Sequence, residues 1–183
     1  MPKKIWYAPN KFESYGEEEI KAVEECLRAG WLAGFGERTI EFEKRVSDYF
    51  GKKYGLFVNS GSSAILVGLC ALDLPKGSEV VTPACGFATT VAPLEQLGLK
   101  PVFCDVDLTS YVTTVEQLRR VVTPETKCLI LPNLIGNVPD WQAIREAFPG
   151  VILFEDSADT MTHTSCTDIS TTSFYASHVI TAG

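Results

Sequence analysis

Residues 54–83 read "YGLFVNSGSSAILVGLCALDLPKGSEVVTP": a short apolar run, a hinge of small polar residues, a longer apolar run and a second short β-rich run. The first run, "YGLFV", predicts a buried strand, because it is short and built of aliphatic and aromatic side chains. The run "SSAILVGLCALDL" is too long for a strand and predicts a helix. After the "PKG" turn, "EVVTP" predicts a strand again.

The alternation continues towards the C-terminus. Helices are predicted at "GFATTVAPLEQLG" (despite Pro93), "TTVEQLRRVV" and "DWQAIREAF", and strands at "PVFCDVD", "KCLILP" and "VILFED". Short strands alternating with helices of about ten residues predict a parallel α/β sheet covered on both faces. In such sheets ligands bind beyond the carboxyl ends of the strands. The closing stretch, "SFYASHVITAG", predicts a late strand running into a glycine-terminated turn.

Towards the N-terminus the pattern is helical. "EEEIKAVEECLRAG" sets Ile20, Val23 and Leu27 on one face and stops at Gly30. "TIEFEKRVSDYFG" aligns Phe42, Val46, Tyr49 and Phe50, with Gly51 as its cap. "WLAGFGE" between them predicts a loop. Residues 1–30 read as an N-terminal segment and 31–183 as one domain, with no repeat, low-complexity tract or linker.

The chain has 183 residues, is 45% hydrophobic and carries a formal net charge of -7. That composition supports a real core and argues against a nucleic-acid-binding surface. No apolar run approaches the roughly 20 residues that span a bilayer. "MPKKIWYAPNKF" lacks the apolar core of a secretory signal, so a cytoplasmic protein is expected. The six cysteines form no CxxC pair, and Cys70 and Cys104 lie in apolar stretches; buried free thiols are expected, with no metal site.

Polar residues collect in the loops after the predicted strands. In "NSGSSA", residues 59–64, a glycine and small hydroxyls lead into a helix, as in a phosphate-binding loop or in an ordinary N-cap with a turn glycine. Phe87, at a helix start, suits either a flat cofactor ring or the core. Asp156, in the acidic pair with Glu155, could pair with a protonated pyridine nitrogen or serve as an N-cap. Ser173 and His178 close the set, although a lone histidine is more often a satisfied surface residue than a catalyst.

The words "FEKRVSDYFG", "VNSGSSA", "GFATT", "PVFCDVD" and "EDSAD", in this order, resemble the DegT/DnrJ/EryC1/StrS sugar aminotransferase family. The resemblance runs from about Trp31 to the chain end and implies the α/β large domain of the aspartate-aminotransferase-like fold (fold type I). It implies pyridoxal phosphate or pyridoxamine phosphate as cofactor. Gly61, Ser62 and Ser173 would hold the phosphate, Phe87 would stack on the ring and Asp156 would pair with its nitrogen.

The resemblance also implies a cofactor-binding lysine five residues beyond Ser173, where this chain has His178. That exchange resembles the nucleotide-hexulose 3-dehydratase branch, in which the histidine acts as acid and base. Asp159 stands where many of the aminotransferases have glutamine or histidine, which implies a place near the cofactor. The implied substrate is a nucleotide-linked 4-keto-6-deoxyhexose that loses its C3 hydroxyl on the way to deoxysugars such as those of O-antigen. Some relatives regenerate the amine from glutamate; others carry a [2Fe–2S] cluster served by a reductase. The family further implies a small domain beyond Gly183 and a homodimer. A sugar aminotransferase and a catalytically silent cofactor-binding module are the competing readings, and the missing lysine counts against the first.

Overall fold

The computed structural model describes residues 15–30 and 35–180. Helix α1 (Glu17–Ala29) begins where the Glu19 carboxylate accepts the Gly16 N–H at 2.7 Å, and ends at Gly30, whose φ of 76° is the left-handed conformation glycine adopts freely. Its apolar face is as predicted, but Ile20, Val23 and Leu27 are exposed and α1 buries no residue. Helix α2 (Glu37–Tyr49) is followed by Phe50 as C-cap, with Gly51 at φ 68° one residue further on. The predicted loop at residues 31–37 falls partly, and the first fourteen residues and Gly183 wholly, outside the described residues.

The remaining elements alternate as the sequence predicts. They are α3 (Gly61–Ala71), β1 (Glu79–Pro83), α4 (Ala88–Gln96), β2 (Lys100–Cys104), α5 (Val115–Arg119), β3 (Thr126–Pro132), α6 (Trp141–Ala147), β4 (Ile152–Ser157) and β5 (Ile169–Thr172). The strands form one sheet in the order β2-β1-β3-β4-β5, and every neighbouring pair is parallel. One face packs Val80, Cys128, Ile130 and Phe154 against Ile65 and Leu69 of α3 and Leu94 of α4. The other packs Val81, Leu129, Leu131 and Leu153 against Leu118 of α5 and Trp141 and Ile144 of α6. Strands buried on both faces explain the unbroken apolar runs in β3 and β4.

Three expectations are corrected. Residues 54–58 are not a buried strand: Tyr54 is 78% and Leu56 67% exposed. A cavity of about 350 Å³ lies between this segment and residues 170–175, so no strand backbone runs alongside to complete a ladder. The late strand is Ile169–Thr172, ahead of Ser173, and residues 173–180 form a loop with a turn. Its side chains, Ile-Ser-Thr-Thr, carry little apolar signal; backbone pairing to β4, from Phe154↔Ile169 to Ser157↔Thr172, makes it a strand. Cys70 and Cys85 are exposed rather than buried, Cys70 because it lies one position, about 100° of helix rotation, beyond the buried Leu69, and Cys85 because it lies in the loop after β1.

Gly68 sets how closely α3 lies on the sheet. A Cβ there would come within 2.8 Å of Cζ of the fully buried Phe154 ring. Gly68→Ala gains up to about 1 kcal/mol of helix propensity, whereas overpacking a core costs about 1–3 kcal/mol. The expected result is a lower Tm in thermal unfolding; an unchanged or higher Tm would mean that the ring has room to move aside.

Candidate functional site

Because all strands are parallel, their carboxyl ends share one edge of the sheet. The strand order reverses direction between β1 and β3, the position where a crevice opens in sheets of this kind. The residues singled out in the sequence lie along this edge and at the start of α3.

Ser60 caps α3, its Oγ accepting the Ser63 N–H at 3.1 Å. The Ala64 N–H bonds to the Ser60 carbonyl. The first two helical N–H groups, of Gly61 and Ser62, have no partner among the described residues. Gly61 meets the residue that follows β5: a Cβ built on it would lie 3.0 Å from Ser173 Cβ. Glycine lets the two segments approach this closely without either shifting, and the approach gathers Gly61, Ser62 and Ser173 around one helix N-terminus, where the helix dipole favours an anion.

Phe87 is the N-cap of α4 and is 70% exposed, which excludes the core alternative. One turn further on, Thr90 donates its hydroxyl proton to Asp156 Oδ2 at 2.7 Å. Sequence reading did not single out Thr90; its only signal is the i+3 spacing from Phe87, which places both on one helix face.

Asp156 ends β4 and is buried. Burial pushes its carboxyl above the ordinary range, opposed by the Thr90 hydrogen bond; Asp159 adds to the rise, while the Ala158 backbone and His178 oppose it. A folded-state value above the unfolded one means that the group's contribution to stability is present below the ordinary carboxyl range. It is lost as pH rises through the folded value. Thr90→Val removes the donor that best serves the ionised form. The variant should lose about 1.5–3 kcal/mol at a pH above the folded value, where a charge-assisted bond disappears, and less at pH 3, where the bond is to a neutral acid. Urea unfolding at the two pH values checks this; equal losses would mean that the bond does not depend on the charge.

Asp159 sits two residues past β4. Its Oδ2 accepts the Ile135 N–H at 3.2 Å, and its Oδ1 lies 3.8 Å from His178 Nε2. The His178 N–H bonds to the Tyr175 carbonyl at 2.8 Å. Its ring meets the Tyr175 ring edge-on, with centroids 5.7 Å apart. Among the described residues, His178 Nδ1 is buried and has no hydrogen-bond partner.

Behind this edge lies a polar network whose members are scattered from residue 52 to residue 170. Glu155 is fully buried and accepts from Asn133 Nδ2 at 2.7 Å and from the hydroxyls of Thr162, Thr164, Thr167 and Ser170. Asn133 also donates to Ser157 and accepts the Trp141 indole N–H at 3.1 Å. Lys52 donates to the Thr164 and Thr167 carbonyls, and burial pushes its ammonium below the usual range, with the Glu155 charge as the largest opposing effect. A buried carboxylate is tolerable only with such a complement of donors, and here it ties β3, β4, β5 and the 160–168 crossover together. No group of three or more His, Cys, Asp and Glu that could hold a metal occurs among the described residues, and none of their helices is long and apolar enough to cross a membrane.

The arrangement has counterparts in known proteins. Residues 13–183 match the model of the DegT/DnrJ/EryC1/StrS aminotransferase family. A GDP-4-keto-6-deoxy-D-mannose 3-dehydratase of Yersinia pseudotuberculosis is 32% identical over 161 residues, which cover 84% of this chain and 41% of that one. The E. coli GDP-4-keto-6-deoxy-D-mannose-3-dehydratase with bound hydrated PLP superposes with a TM-score of 0.79 at 32% identity, over 86% of this chain and 41% of the other. A putative sugar aminotransferase from Streptococcus pneumoniae, in its PMP form, gives 0.86 at 25% identity, over 98% and 50%. The chain thus spans half or less of the length of these relatives. Its parallel sheet is that of the fold type I large domain, and the match along residues 13–183 makes the chain a member of the DegT/DnrJ/EryC1/StrS aminotransferase family.

Proposed function

We propose that the full-length protein is a pyridoxal/pyridoxamine phosphate-dependent 3-dehydratase of a nucleotide-linked 4-keto-6-deoxyhexose. The observation that carries this reading is His178, an imidazole at the position the family pattern gives to a lysine. Imidazole cannot form a Schiff base with the cofactor but can move a proton near neutral pH. The two solved structures named above, one with bound hydrated PLP and one in its PMP form, support the cofactor.

The residues present fit that cofactor: two N–H groups at the α3 N-terminus with no partner among the described residues, an approach at Gly61 that a Cβ would crowd, and a buried carboxylate. In this reading the N–H groups of Gly61 and Ser62 and the Ser173 hydroxyl bind the phosphate. Phe87 covers the ring, and Asp156, steadied by Thr90, faces the ring nitrogen. When bound, the cofactor supplies a cationic ring that accepts electron density from the substrate. His178, as the neutral base, would take up the proton released at the cofactor carbon C4′ and deliver it to the hydroxyl departing from sugar C3, so that water leaves.

The test is product analysis. Full-length protein, pyridoxamine phosphate and GDP-4-keto-6-deoxy-D-mannose should give a sugar that has lost its C3 hydroxyl, seen by mass spectrometry and NMR. An amino sugar formed at the expense of glutamate would replace this reading with that of an aminotransferase.

A further inference from the structure

β5 ends at Thr172, and the loop that follows carries both Ser173 and His178. Its first two residues are pinned from two sides. Ser173 lies against Gly61 at the α3 N-terminus, and the Phe174 ring meets Phe42 of α2 edge-on, with centroids 4.9 Å apart. From there two hydrogen bonds lead to the imidazole. Ser173 Oγ accepts the Tyr175 N–H at 3.3 Å, and the Tyr175 carbonyl accepts the His178 N–H at 2.8 Å. Among the described residues, these are the hydrogen bonds that residues 174–178 make. The Tyr175 ring also meets the His178 ring edge-on, at 5.7 Å between centroids.

A serine oxygen that accepts the N–H two residues further on is a local device for setting a turn. We propose that Ser173 is the positioning residue of His178: its Oγ holds Tyr175, Tyr175 sets the imidazole at the carboxyl edge of the sheet, and an anion at the α3 N-terminus tightens this hold. The proposal deepens the dehydratase reading and rests on it for what the imidazole does there.

A hydroxyl has one proton to donate and two lone pairs. With one lone pair taken by the Tyr175 N–H, the Ser173 proton is left for an anion beside the N–H groups of Gly61 and Ser62. A hydroxyl that donates becomes a better acceptor, because hydrogen bonds in a chain polarise one another. Filling the anion site therefore strengthens the bond to Tyr175, and one oxygen links the two ends of the site. Ser62 has no such link: among the described residues its side chain makes no hydrogen bond to residues 173–178.

The experiment is hydrogen exchange by mass spectrometry on full-length, cofactor-free protein, read in the peptide that spans residues 174–178, with inorganic phosphate as the probe. Phosphate should slow exchange of this peptide in the wild type. Ser173→Ala should speed it about three- to tenfold without phosphate, the factor by which losing one side-chain hydrogen bond shifts an opening equilibrium. Phosphate should no longer slow it. Ser173→Thr, which keeps the acceptor, should restore the wild-type rate, and Ser62→Ala should not change the phosphate-free rate. At saturating pyridoxamine phosphate, Ser173→Ala should still lower kcat about ten- to a hundredfold, the scale on which a misplaced group slows a reaction. Weaker cofactor binding alone would be overcome by saturation.

Unchanged exchange in Ser173→Ala overturns the proposal, as does wild-type exchange that ignores phosphate. Should Ser173→Ala fail to fold, Ser173→Cys, of nearly the same size and with a weaker acceptor, decides by the same readout. Unaltered affinity for pyridoxamine phosphate in both Ser62→Ala and Ser173→Ala would refute the phosphate site, and an amino-sugar product the dehydratase reading. Neither result alters the phosphate-free exchange rates, which report the hold of Ser173 on the turn.

Discussion

His178→Lys in the full-length enzyme is expected to turn a dissociable cofactor into a covalently held one. The substitution restores the amine that the family pattern places there, and a primary amine condenses with the cofactor aldehyde where an imidazole cannot. Borohydride should then fix the cofactor to residue 178, as peptide mass spectrometry would show, and the wild type should remain unlabelled. Dehydration should fall by about a hundred- to ten-thousandfold, the range that a positioned acid–base group supplies. His178→Asn should show neither a reducible adduct nor turnover, since an amide is not basic at neutral pH. Comparable turnover in His178→Asn, or a borohydride-stable adduct on another lysine of the wild type, would demote His178 to a structural residue.

Asp156→Asn should separate stability from activity. The buried carboxyl is pushed upward chiefly by desolvation, so its ionised form weighs against the cofactor-free fold at neutral pH. A neutral amide keeps an acceptor for Thr90 and removes that charge. Cofactor-free protein should therefore be as stable as wild type or more so above the ordinary carboxyl range. Turnover, by contrast, should fall about a hundred- to a thousandfold, the scale on which a fixed charge or donor at a reacting group acts. Parallel measurements of urea unfolding and product formation check both halves. Near-normal turnover would remove Asp156 from the ring nitrogen.

The two variants probe different kinds of legibility. Asp156 could be read from the sequence because a strand pattern, "VILFED", runs straight into it, and position at a strand's carboxyl end is a local property. The same holds for Gly61 and Ser62, at the start of a helix that follows small polar residues. His178 could be singled out only through the family pattern; the strand expected around it proved to be a loop.

The sequence alone determined the alternation of helices with β1 to β4, the parallel sheet, and the edge on which a site would form. These follow from side-chain period and run length, which every local window of the chain carries. Tertiary structure decided what depends on partners far away in the chain. Residues 54–58 have strand-like composition but no ladder, whereas the polar residues of β5 become a strand because β4 pairs with them. The contact of Gly61 with Ser173, the Thr90 bond to Asp156, the five donors around Glu155 and the pairing of Asp159 with His178 arise in the same way. Hydrogen bonds and charge pairs act over a few ångströms in space and leave no period in the chain. Only the folded sheet, by bringing its carboxyl ends to one edge, makes them neighbours.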